Sequence, residues 1–430
     1  MRYDFNRVID RRNTDCAKWD AVESMFGSKD VLPMWVADMD FPIAKPITEA
    51  LKKRTEHEIY GYTRPSPSLI EAIVNRMQQK YDWHIEPEWI VLTPGVIPAL
   101  HVAVRTFTHP GDEVIIQGPV YYPFWSAVTD NGCLVANNPL ELINGHYEVN
   151  FEDLGRKFSP RARMVPSPSR AKMMILCNPH NPVGRVWTRE ELVRMGEIVI
   201  KNDAIMVSDE VHCELLFKGS KHIPFASISE EFEPHSVVCM AASKTFNLAG
   251  VAASTIIIPN TKLRDSFNVA RAGILPRPNV FALKALEAAY RDGDEWLEQL
   301  LDYLQGNVEF LMEYFRKRIP RIKVIRPEGT YLVWLDCREL GMDAMNLRTY
   351  MREKAKVGLN DGYLFGPSGA GFQRINIACP RATLEEALKR IETAVNHLQE
   401  MKGGRVGMDI REDSSVGKKR RLPPTALSPN

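Results

Sequence analysis

The sequence reads Met173-Met-Ile-Leu-Cys-Asn-Pro-His-Asn181, then Ala204-Ile-Met-Val-Ser-Asp-Glu210, then Ser236-Val-Val-Cys-Met-Ala-Ala-Ser-Lys244. Each segment is a short apolar run that ends in polar side chains. Such runs, alternating with longer amphipathic stretches, are typical of parallel strands that crossover helices bury on both faces. We therefore predict an α/β fold with a mostly parallel central sheet, whose strands end at one edge where such sheets bind ligands.

Capping patterns and apolar runs predict the individual elements. Thr188 with Glu191 three residues later forms a capping box that predicts a helix start, and Thr383 with Glu386 predicts the start of the last helix in the same way. The predicted strands are 89–93, 113–117, 173–177, 204–208, Ser236–Met240 and 253–258, with two more at 322–325 and 330–336.

The pattern also predicts a domain organisation. Residues 46–285 carry the α/β alternation and are predicted to form a large domain, and residues 286–401 a smaller α+β domain. Residues 1–45 show little periodicity and are predicted to be an arm that joins the small domain. Residues 402–430 are polar and lack apolar side chains to bury, so we predict a disordered tail. Its basic run Lys418-Lys-Arg-Arg421 is interpreted as solvated charge, with a localisation signal as the alternative.

Composition favours a small-molecule partner in the cytoplasm. The 55 basic and 54 acidic side chains nearly cancel, so no overall field would steer the chain to nucleic acid or to an anionic membrane. Seven cysteines without a C-x-x-C pair suit a reducing compartment, and the ten histidines show no metal-ligand spacing, so no metal is expected. Because no targeting segment or bilayer-length apolar stretch is visible, we expect a cytoplasmic protein.

Three polar groups follow three successive predicted strands, and together they indicate a cofactor. Asn181, Asp209 and Lys244 should meet at one sheet edge, although each alone would be an ordinary turn or cap residue. The set suits pyridoxal 5′-phosphate (PLP). A lysine forms the Schiff base with this cofactor, an aspartate pairs with its pyridinium nitrogen, and an asparagine can hydrogen-bond its phenolic oxygen.

The motifs N-P-H-N-P-V-G at 178–184, S-D-E-V-H at 208–212 and S-K-T-F-N-L-A-G at 243–250 resemble a known family. They are similar to the fold-type I PLP-dependent enzymes of the class I and II aminotransferase family, and above all to its MalY/PatB-like cystathionine β-lyases, also called C-S lyases. The resemblance covers residues 1 to about 400. Further matching phrases are Leu32-Pro-Met-Trp-Val-Ala-Asp-Met-Asp-Phe41, Gly61-Tyr-Thr-Arg64, Thr93-Pro-Gly-Val96, Pro327-Glu-Gly-Thr-Tyr-Leu-Val-Trp-Leu-Asp336 and Arg374-Ile-Asn-Ile-Ala-Cys-Pro-Arg381.

The resemblance implies roles for individual residues. Lys244 would be the catalytic residue that carries the cofactor, and Asp209 would pair with the pyridinium nitrogen. Asn181 would contact the O3′ atom, with His212 as a second polar neighbour on that side. Tyr121 falls where the family stacks an aromatic ring on the cofactor, and the alternative is a core tyrosine.

The phosphate contacts are expected at the start of a helix. Val96 and Ile97 follow a strand and a glycine, so their backbone N–H groups can hold a phosphate. The resemblance adds the hydroxyl of Ser243 and, from a neighbouring subunit, Tyr62, which implies a homodimer with shared active sites. Many fold-type I enzymes place an arginine eight residues after the lysine, but that position is Ala252 here.

Arg374 is the predicted substrate-binding residue. A guanidinium group can bind a carboxylate through two parallel hydrogen bonds, which fits the α-carboxylate of an amino acid. The alternative is a surface arginine paired with an acidic neighbour, and the resemblance favours the substrate role.

The predicted function is a C-S β-lyase. It would cleave cystathionine, cysteine or another S-substituted L-cysteine to a thiol, pyruvate and ammonia. Lys244 would serve equally in transamination, so a PLP-dependent aminotransferase is the alternative. A partner-binding regulatory protein with an incidental PLP site is the third possibility. The preference for elimination comes from the resemblance, because residue spacing does not separate the two reactions.

Overall fold

The computed structural model describes residues 1–158 and 171–403. The strands in these residues are β1 (Leu32–Pro33), β2 (Ile90–Thr93), β3 (Glu113–Ile116), β4 (Leu134–Asn137), β5 (Glu141–Ile143), β6 (His146–Glu148), β7 (Ala171–Cys177), β8 (Ile205–Asp209), β9 (Ser236–Met240), β10 (Ser254–Ile257), β11 (Lys323–Ile325), β12 (Leu332–Asp336), β13 (Val357–Gly358), β14 (Asn360–Asp361) and β15 (Phe372–Asn376). The α-helices are α1 (Ala17–Asp20), α2 (Val22–Phe26), α3 (Lys45–Thr55), α4 (Pro67–Tyr81), α5 (Val96–Phe107), α6 (Pro123–Thr129), α7 (Phe151–Phe158), α8 (Arg189–Lys201), α9 (Ala242–Thr245), α10 (Thr261–Arg271), α11 (Val280–Asp292), α12 (Asp294–Arg318), α13 (Ala344–Glu353) and α14 (Arg381–Gly403).

The central sheet of the described residues has seven strands in the order β2-β10-β9-β8-β7-β3-β4. Only β10 runs antiparallel to its neighbours, and the remaining pairs are parallel. The prediction of an α/β fold with a mostly parallel sheet is therefore confirmed. The six strands predicted for this sheet are present with ends shifted by at most two residues. The short edge strand β4 was not predicted, and one of its ends is exposed.

Both faces of this sheet are buried, which explains why its strands read as continuous apolar runs. Val114 and Ile116 of β3 point into one hydrophobic core, whereas Ile115 between them points into another. Met173 and Met174 of β7 divide in the same way. The alternation of side chains along a strand thus serves two cores rather than a core and solvent.

One of the two predicted capping boxes is confirmed. The side chain of Thr188 accepts the Glu191 N–H group, and the Glu191 carboxylate accepts the Thr188 N–H group, at the start of α8. The second prediction was wrong, because α14 begins at Arg381, two residues before Thr383. There the Pro380 carbonyl already accepts the Thr383 N–H group at 2.9 Å, so the helix has started before the threonine.

The described residues also form a four-stranded sheet. It is antiparallel and has the order β11-β12-β15-β14. Strand β15 was not predicted from the sequence. The N-terminal segment reaches this region, since β1 pairs in parallel with β13 and the Asn376 N–H group donates to the Met34 carbonyl at 2.9 Å. The predicted domain boundaries remain predictions, and the predicted disordered tail falls outside the described residues from 404 onward.

The described residues include all seven cysteines. All seven cysteines are buried free thiols, as expected for scattered cysteines in a reducing environment. A search of the described helices finds none with the length and apolar character needed to cross a membrane.

Candidate active site

The fold brings three of the predicted side chains to one edge of the central sheet. Asp209 is the last residue of β8, Asn181 lies in the turn after β7, and Lys244 lies in the short helix α9 that follows β9. Because β7, β8 and β9 are adjacent and parallel, their carboxyl ends lie side by side. The convergence follows from the strand order, as expected for ligand sites in open α/β sheets.

Lys244 is partly buried and its amine is held by the N-terminal segment. The Nζ atom donates to the Ala37 carbonyl oxygen at 2.8 Å. Burial lowers the pKa of Lys244 to about 8, and Arg374 adds to the lowering, whereas Asp38 and Asp209 act in the opposite direction. An amine with this pKa is available both as a nucleophile and as a base near neutral pH.

Asp209 is a buried carboxyl group that lacks a cationic hydrogen-bond partner within the described residues. One of its oxygens accepts the Val211 N–H group at 3.1 Å. Burial raises the pKa of Asp209 to about 7 and Glu210 adds to this, while the Val211 bond and Lys244 lower it. A carboxylate desolvated in this way gains stability from a cation placed beside it, such as a protonated ring nitrogen.

The turn after β7 is tied to the aromatic segment after β3. The Tyr121 N–H group donates to the Asn181 carbonyl at 3.0 Å. His180 lies 2.9 Å from the Pro119 carbonyl through its Nε2 atom, and burial lowers the pKa of this histidine to about 4, so it is a neutral donor there. Tyr121 lies close enough to Asp209 and Arg374 to interact electrostatically with both. Its ring therefore borders the same site, although the predicted stacking role remains a prediction.

Arg374 is a buried cation whose protein partners are neutral. Its Nη1 atom donates to Asn181 Oδ1 at 2.9 Å, and its Nη2 atom donates to the Trp35 carbonyl at 3.1 Å and to Asn360 Oδ1 at 2.5 Å. Its Nε atom is buried without a hydrogen-bond partner, and burial lowers the pKa of the group. The ring of Phe365 lies 4.9 Å from the guanidinium carbon. The arrangement is therefore not a surface ion pair, and a buried, uncompensated guanidinium favours an incoming carboxylate.

His212 carries another unpartnered atom of the site. Its Nδ1 atom is buried without a hydrogen-bond partner, and burial lowers the pKa of the ring, with Lys244 and Arg374 adding to the effect. The ring centroid lies 6.0 Å from that of Tyr331. His212 is therefore a neutral imidazole with one ring nitrogen left for a ligand.

The predicted phosphate residues lie at the same sheet edge, with one exception. Val96 and Ile97 are the first two residues of α5, directly after β2, and no side chain caps this helix. Ser243 is partly exposed beside Lys244, and Ala252 adopts a left-handed backbone with φ of 56°. Tyr62 is fully exposed within the described chain, so the fold of one subunit does not bring it to the site.

Four residues of the site were not assigned a role from the sequence. They are Ala37 and Asn360, whose oxygens accept from Lys244 and Arg374, and Tyr331 and Asn247, which bind the segment around Ala37. Three of the four lie in or beside phrases that match the family, yet the sequence shows no reason for their contacts. These contacts join segments far apart along the chain and exist only in the folded structure.

The donor set of this site fits PLP. It contains an amine of lowered pKa, a buried carboxyl group without a cation, a neutral imidazole with a free ring nitrogen, and an uncapped helix N-terminus for a phosphate. The unpartnered Nε atom of Arg374 adds a place for the carboxylate of an amino acid. These features correspond to the chemical groups of the cofactor and of an amino-acid substrate.

Comparison with known proteins gives matches over nearly the whole described chain. The sequence matches the family described as aminotransferase class I and II over residues 29–391. It is 44% identical over 394 residues to cystathionine beta-lyase PatB of Bacillus subtilis (strain 168), which covers 91% of this chain and 100% of PatB. The crystal structure of cystalysin from Treponema denticola, which contains PLP, is similar at 36% identity and a TM-score of 0.88, over 93% of this chain and 100% of cystalysin. The PLP-bound C-S lyase from Staphylococcus hominis is similar at 32% identity and a TM-score of 0.84, over 92% of this chain and 98% of the lyase.

Proposed function

Because the chain belongs to the class I and II aminotransferase family, we propose that it is a PLP-dependent carbon–sulfur β-lyase that releases a thiol, pyruvate and ammonia from cystathionine, cysteine or another S-substituted L-cysteine. The family assignment confirms the resemblance read from the sequence motifs, and the fold is that of fold-type I PLP-dependent enzymes. PatB is named a cystathionine beta-lyase and the Staphylococcus hominis protein a C-S lyase, which supports elimination as the reaction. The single observation that carries the proposal is the amine of Lys244 beside Asp209 and Arg374.

The residues of the site have separate tasks in this reaction. When bound, PLP supplies an electron sink for the α-carbon of the substrate. Lys244 would hold the cofactor, and its amine, whose pKa is lowered to about 8 by burial, suits a base that takes the α-proton near neutral pH. Asp209 would hold the proton on the ring nitrogen of the cofactor, because a buried carboxylate stabilises an adjacent cation.

Two further groups orient the substrate. Arg374 binds the α-carboxylate with the N–H groups that its neutral partners leave free. Asn181 Oδ1 accepts a hydrogen bond from the Arg374 guanidinium, and the same amide would contact the phenolic oxygen of the cofactor, so the substrate site and the cofactor site would share one amide.

Product analysis tests the proposed reaction. The holoenzyme is incubated with L-cystathionine, and thiol and pyruvate are quantified in the same sample, with Lys244→Ala as the inactive control. We expect thiol and pyruvate in equal amounts and neither from the variant. Amino-group transfer to an added 2-oxo acid without thiol would identify an aminotransferase instead. A biological effect that survives in Lys244→Ala would favour the partner-binding alternative.

We also propose that the protein is a homodimer whose subunits share their active sites. Tyr62 is fully exposed, and the neighbouring Ile59 and Tyr60 are exposed as well, although Arg54 hydrogen-bonds the backbone of this loop at Ile59. An ordered, exposed apolar loop is what a subunit interface would cover. Tyr62 would then reach the phosphate of the partner's cofactor.

Mixing two inactive variants tests the shared site. Tyr62→Ala and Lys244→Ala are unfolded and refolded together, so that hybrid dimers carry both lesions in one site and neither in the other. If Tyr62 acts across the interface, activity should return to about a quarter of the wild-type level for random pairing. Tyr60→Ala, refolded with Lys244→Ala in the same way, controls for damage to the loop. No recovery on mixing would show that Tyr62 does not serve the other subunit.

The cytoplasm is the proposed compartment. Seven free buried thiols suit a reducing environment, and the substrate class belongs to amino-acid metabolism. Fractionation of cells that produce the full chain, followed by detection of the protein, checks this location.

A further inference from the structure

A segment of the N-terminal arm is held through nearly all of its backbone carbonyls by three segments of the chain, two of which carry predicted active-site residues. We call residues 34–41 the strap. Its donors come from the Lys244 turn, from β15, which carries Arg374, and from Tyr331, so the strap connects the catalytic lysine to the substrate-binding strand. The bonds are Asn376 N to Met34 O at 2.9 Å, Arg374 Nη2 to Trp35 O at 3.1 Å, Asn376 Nδ2 to Val36 O and Asp38 O at 2.6 Å each, Lys244 Nζ and Tyr331 Oη to Ala37 O at 2.8 and 2.9 Å, and Asn247 Nδ2 to Met39 O and Phe41 O at 3.0 Å each.

Asn247 lies three residues after the catalytic lysine and makes three bonds to the strap. In addition to the two bonds from its Nδ2 atom, its Oδ1 atom accepts the Met39 N–H group at 3.0 Å. Its backbone has a positive φ of 57°, which asparagine tolerates better than most residues. The reaction outlined above gives this side chain no task, although it links the turn that carries Lys244 to the carbonyl row that receives the amine.

We propose that Asn247 is a positioning residue for catalysis: it fixes the strap so that the Ala37 carbonyl holds the amine of Lys244 whenever that amine is not bonded to the cofactor. In the reaction this situation arises after substrate has displaced the lysine. The free amine must then stay beside the α-carbon, take up one proton and later return. A fixed carbonyl acceptor provides a defined place for the resulting ammonium group.

A second set of contacts also holds the strap, which restricts the Ala37 carbonyl further. Lys18 is fully buried and its Nζ atom lies 2.6 Å from Asp40, while Arg11 binds both Asp38 and Asp40 at 2.7 Å. This ion cluster, in which Lys18 and Asp40 are buried and Arg11 and Asp38 partly buried, gives the strap a second anchor. A site held by two sets of contacts keeps its geometry when the lysine moves.

The charged groups around the amine predict how it responds when the acceptor is lost. Asp38 and Asp209 favour the ammonium form of Lys244, and Arg374 disfavours it, while His212 is neutral. Removal of the Asn247 side chain changes no charge, but it loosens the strap, which carries both the neutral acceptor Ala37 and the carboxylate of Asp38. Since a hydrogen bond to the charged form stabilises it, its loss should lower the pKa of the amine.

The test measures the amine directly in the full chain freed of cofactor. Asn247→Gly removes the side chain and permits the positive φ, and Asn138→Ala is the matched control. Asn138 is a fully buried amide at the end of β4 that also makes three side-chain hydrogen bonds. Labelling of Lys244 by trinitrobenzenesulfonate is followed against pH by mass spectrometry. We expect the midpoint to fall by about one pH unit in Asn247→Gly and to stay in place in the control.

The holoenzyme supplies a second readout. Because the amine is placed after substrate has bound, kcat should fall about tenfold at nearly unchanged KM in Asn247→Gly. The inference rests on the proposed function, but the labelling midpoint does not depend on substrate, so a wrong substrate class and a wrong role for Asn247 give different results. An unchanged midpoint together with an unchanged kcat would overturn the inference, and so would an equal shift in Asn138→Ala.

A reciprocal measurement uses no Asn247 variant. It therefore tests the link between the strap and Lys244 even if Asn247→Gly does not fold. If the strap positions Lys244, then Lys244 holds the strap to the same extent. In cofactor-free Lys244→Ala the Met39 amide should exchange with deuterium faster than in the cofactor-free wild type. Equal exchange at Met39 would contradict the inference.

Discussion

Replacement of Arg374 by lysine should impair substrate binding while the protein stays folded and keeps its cofactor. The guanidinium group has five N–H donors, and three of them bind the oxygens of Asn181, Trp35 and Asn360. Two donors, one of them the buried Nε–H group, remain for a carboxylate. A lysine ammonium has only three donors, which these oxygens would consume. The positive charge survives in Arg374→Lys, but the donors for the substrate do not.

The size of the effect follows from the bonds lost. A hydrogen bond to a charged group contributes about 1.5–3 kcal/mol, and every 1.4 kcal/mol or so is a factor of ten in kcat/KM. We therefore expect kcat/KM for L-cystathionine to fall about tenfold to a hundredfold, mainly through KM. Steady-state release of thiol measures both constants, and the visible absorbance of the bound cofactor shows whether the site is loaded.

Arg76 provides the matched control for this change. It is equally buried, but its partners are the carboxylates of Glu214 and Asp294, so it has no part in substrate binding. Arg76→Lys can lower stability and should leave kcat/KM within about threefold of wild type. If Arg374→Lys, with cofactor bound, also retained kcat/KM within that range, the role assigned to Arg374 would be refuted.

Three further predictions test other parts of the site and fold. Asp209→Asn removes the anion proposed to lie beside the ring nitrogen, which costs one charge-assisted bond of about 1.5–3 kcal/mol. We therefore expect kcat, measured by pyruvate release, to fall at least tenfold. An unchanged kcat would exclude Asp209 as the partner of the ring nitrogen. Capture of PLP by the cofactor-free protein needs the neutral amine of Lys244, whose pKa is lowered to about 8. The capture rate measured by stopped flow should therefore rise about tenfold from pH 7 to 9 and then level off. A rise that continued towards pH 10.5 would indicate an ordinary lysine. Thr188→Ala removes the cap of α8 and should lower the free energy of unfolding, measured by urea titration, by about 0.5–2 kcal/mol. The ratio of thiol to pyruvate should stay the same, and a changed ratio would show that α8 acts on the chemistry.

The central sheet could be predicted because its signals are local. Strands buried on both faces read as apolar runs, and the polar residues Asp209 and Lys244 stand at or just after their ends in the sequence itself. Parallel order then places these ends together. The capping box at Thr188 was equally local, whereas the Thr383 pattern failed because the Pro380 carbonyl starts the helix earlier.

The strap could not be predicted, because its contacts are tertiary. Asn247 stands in a motif that was quoted for its lysine, yet its partners Met39 and Phe41 are more than 200 residues away in the chain. Arg374 was assigned a carboxylate from the resemblance, but its buried hydrogen bonds to Trp35 and Asn360 need strand β15, which the sequence did not reveal. Side chains that bind backbone carbonyls leave no pattern in the sequence of the partner, since every residue carries a carbonyl.

The most direct test of the central claim is to locate the cofactor on the chain. The holoenzyme is reduced with borohydride, digested and mapped by mass spectrometry. Lys284→Ala, which removes a partly exposed lysine paired with Glu287 outside the site, is treated in parallel. The account predicts that the reduced cofactor is attached to Lys244 in wild type and in Lys284→Ala, and that Lys244→Ala carries none. Attachment to another lysine, or no attachment in the active wild-type enzyme, would contradict it.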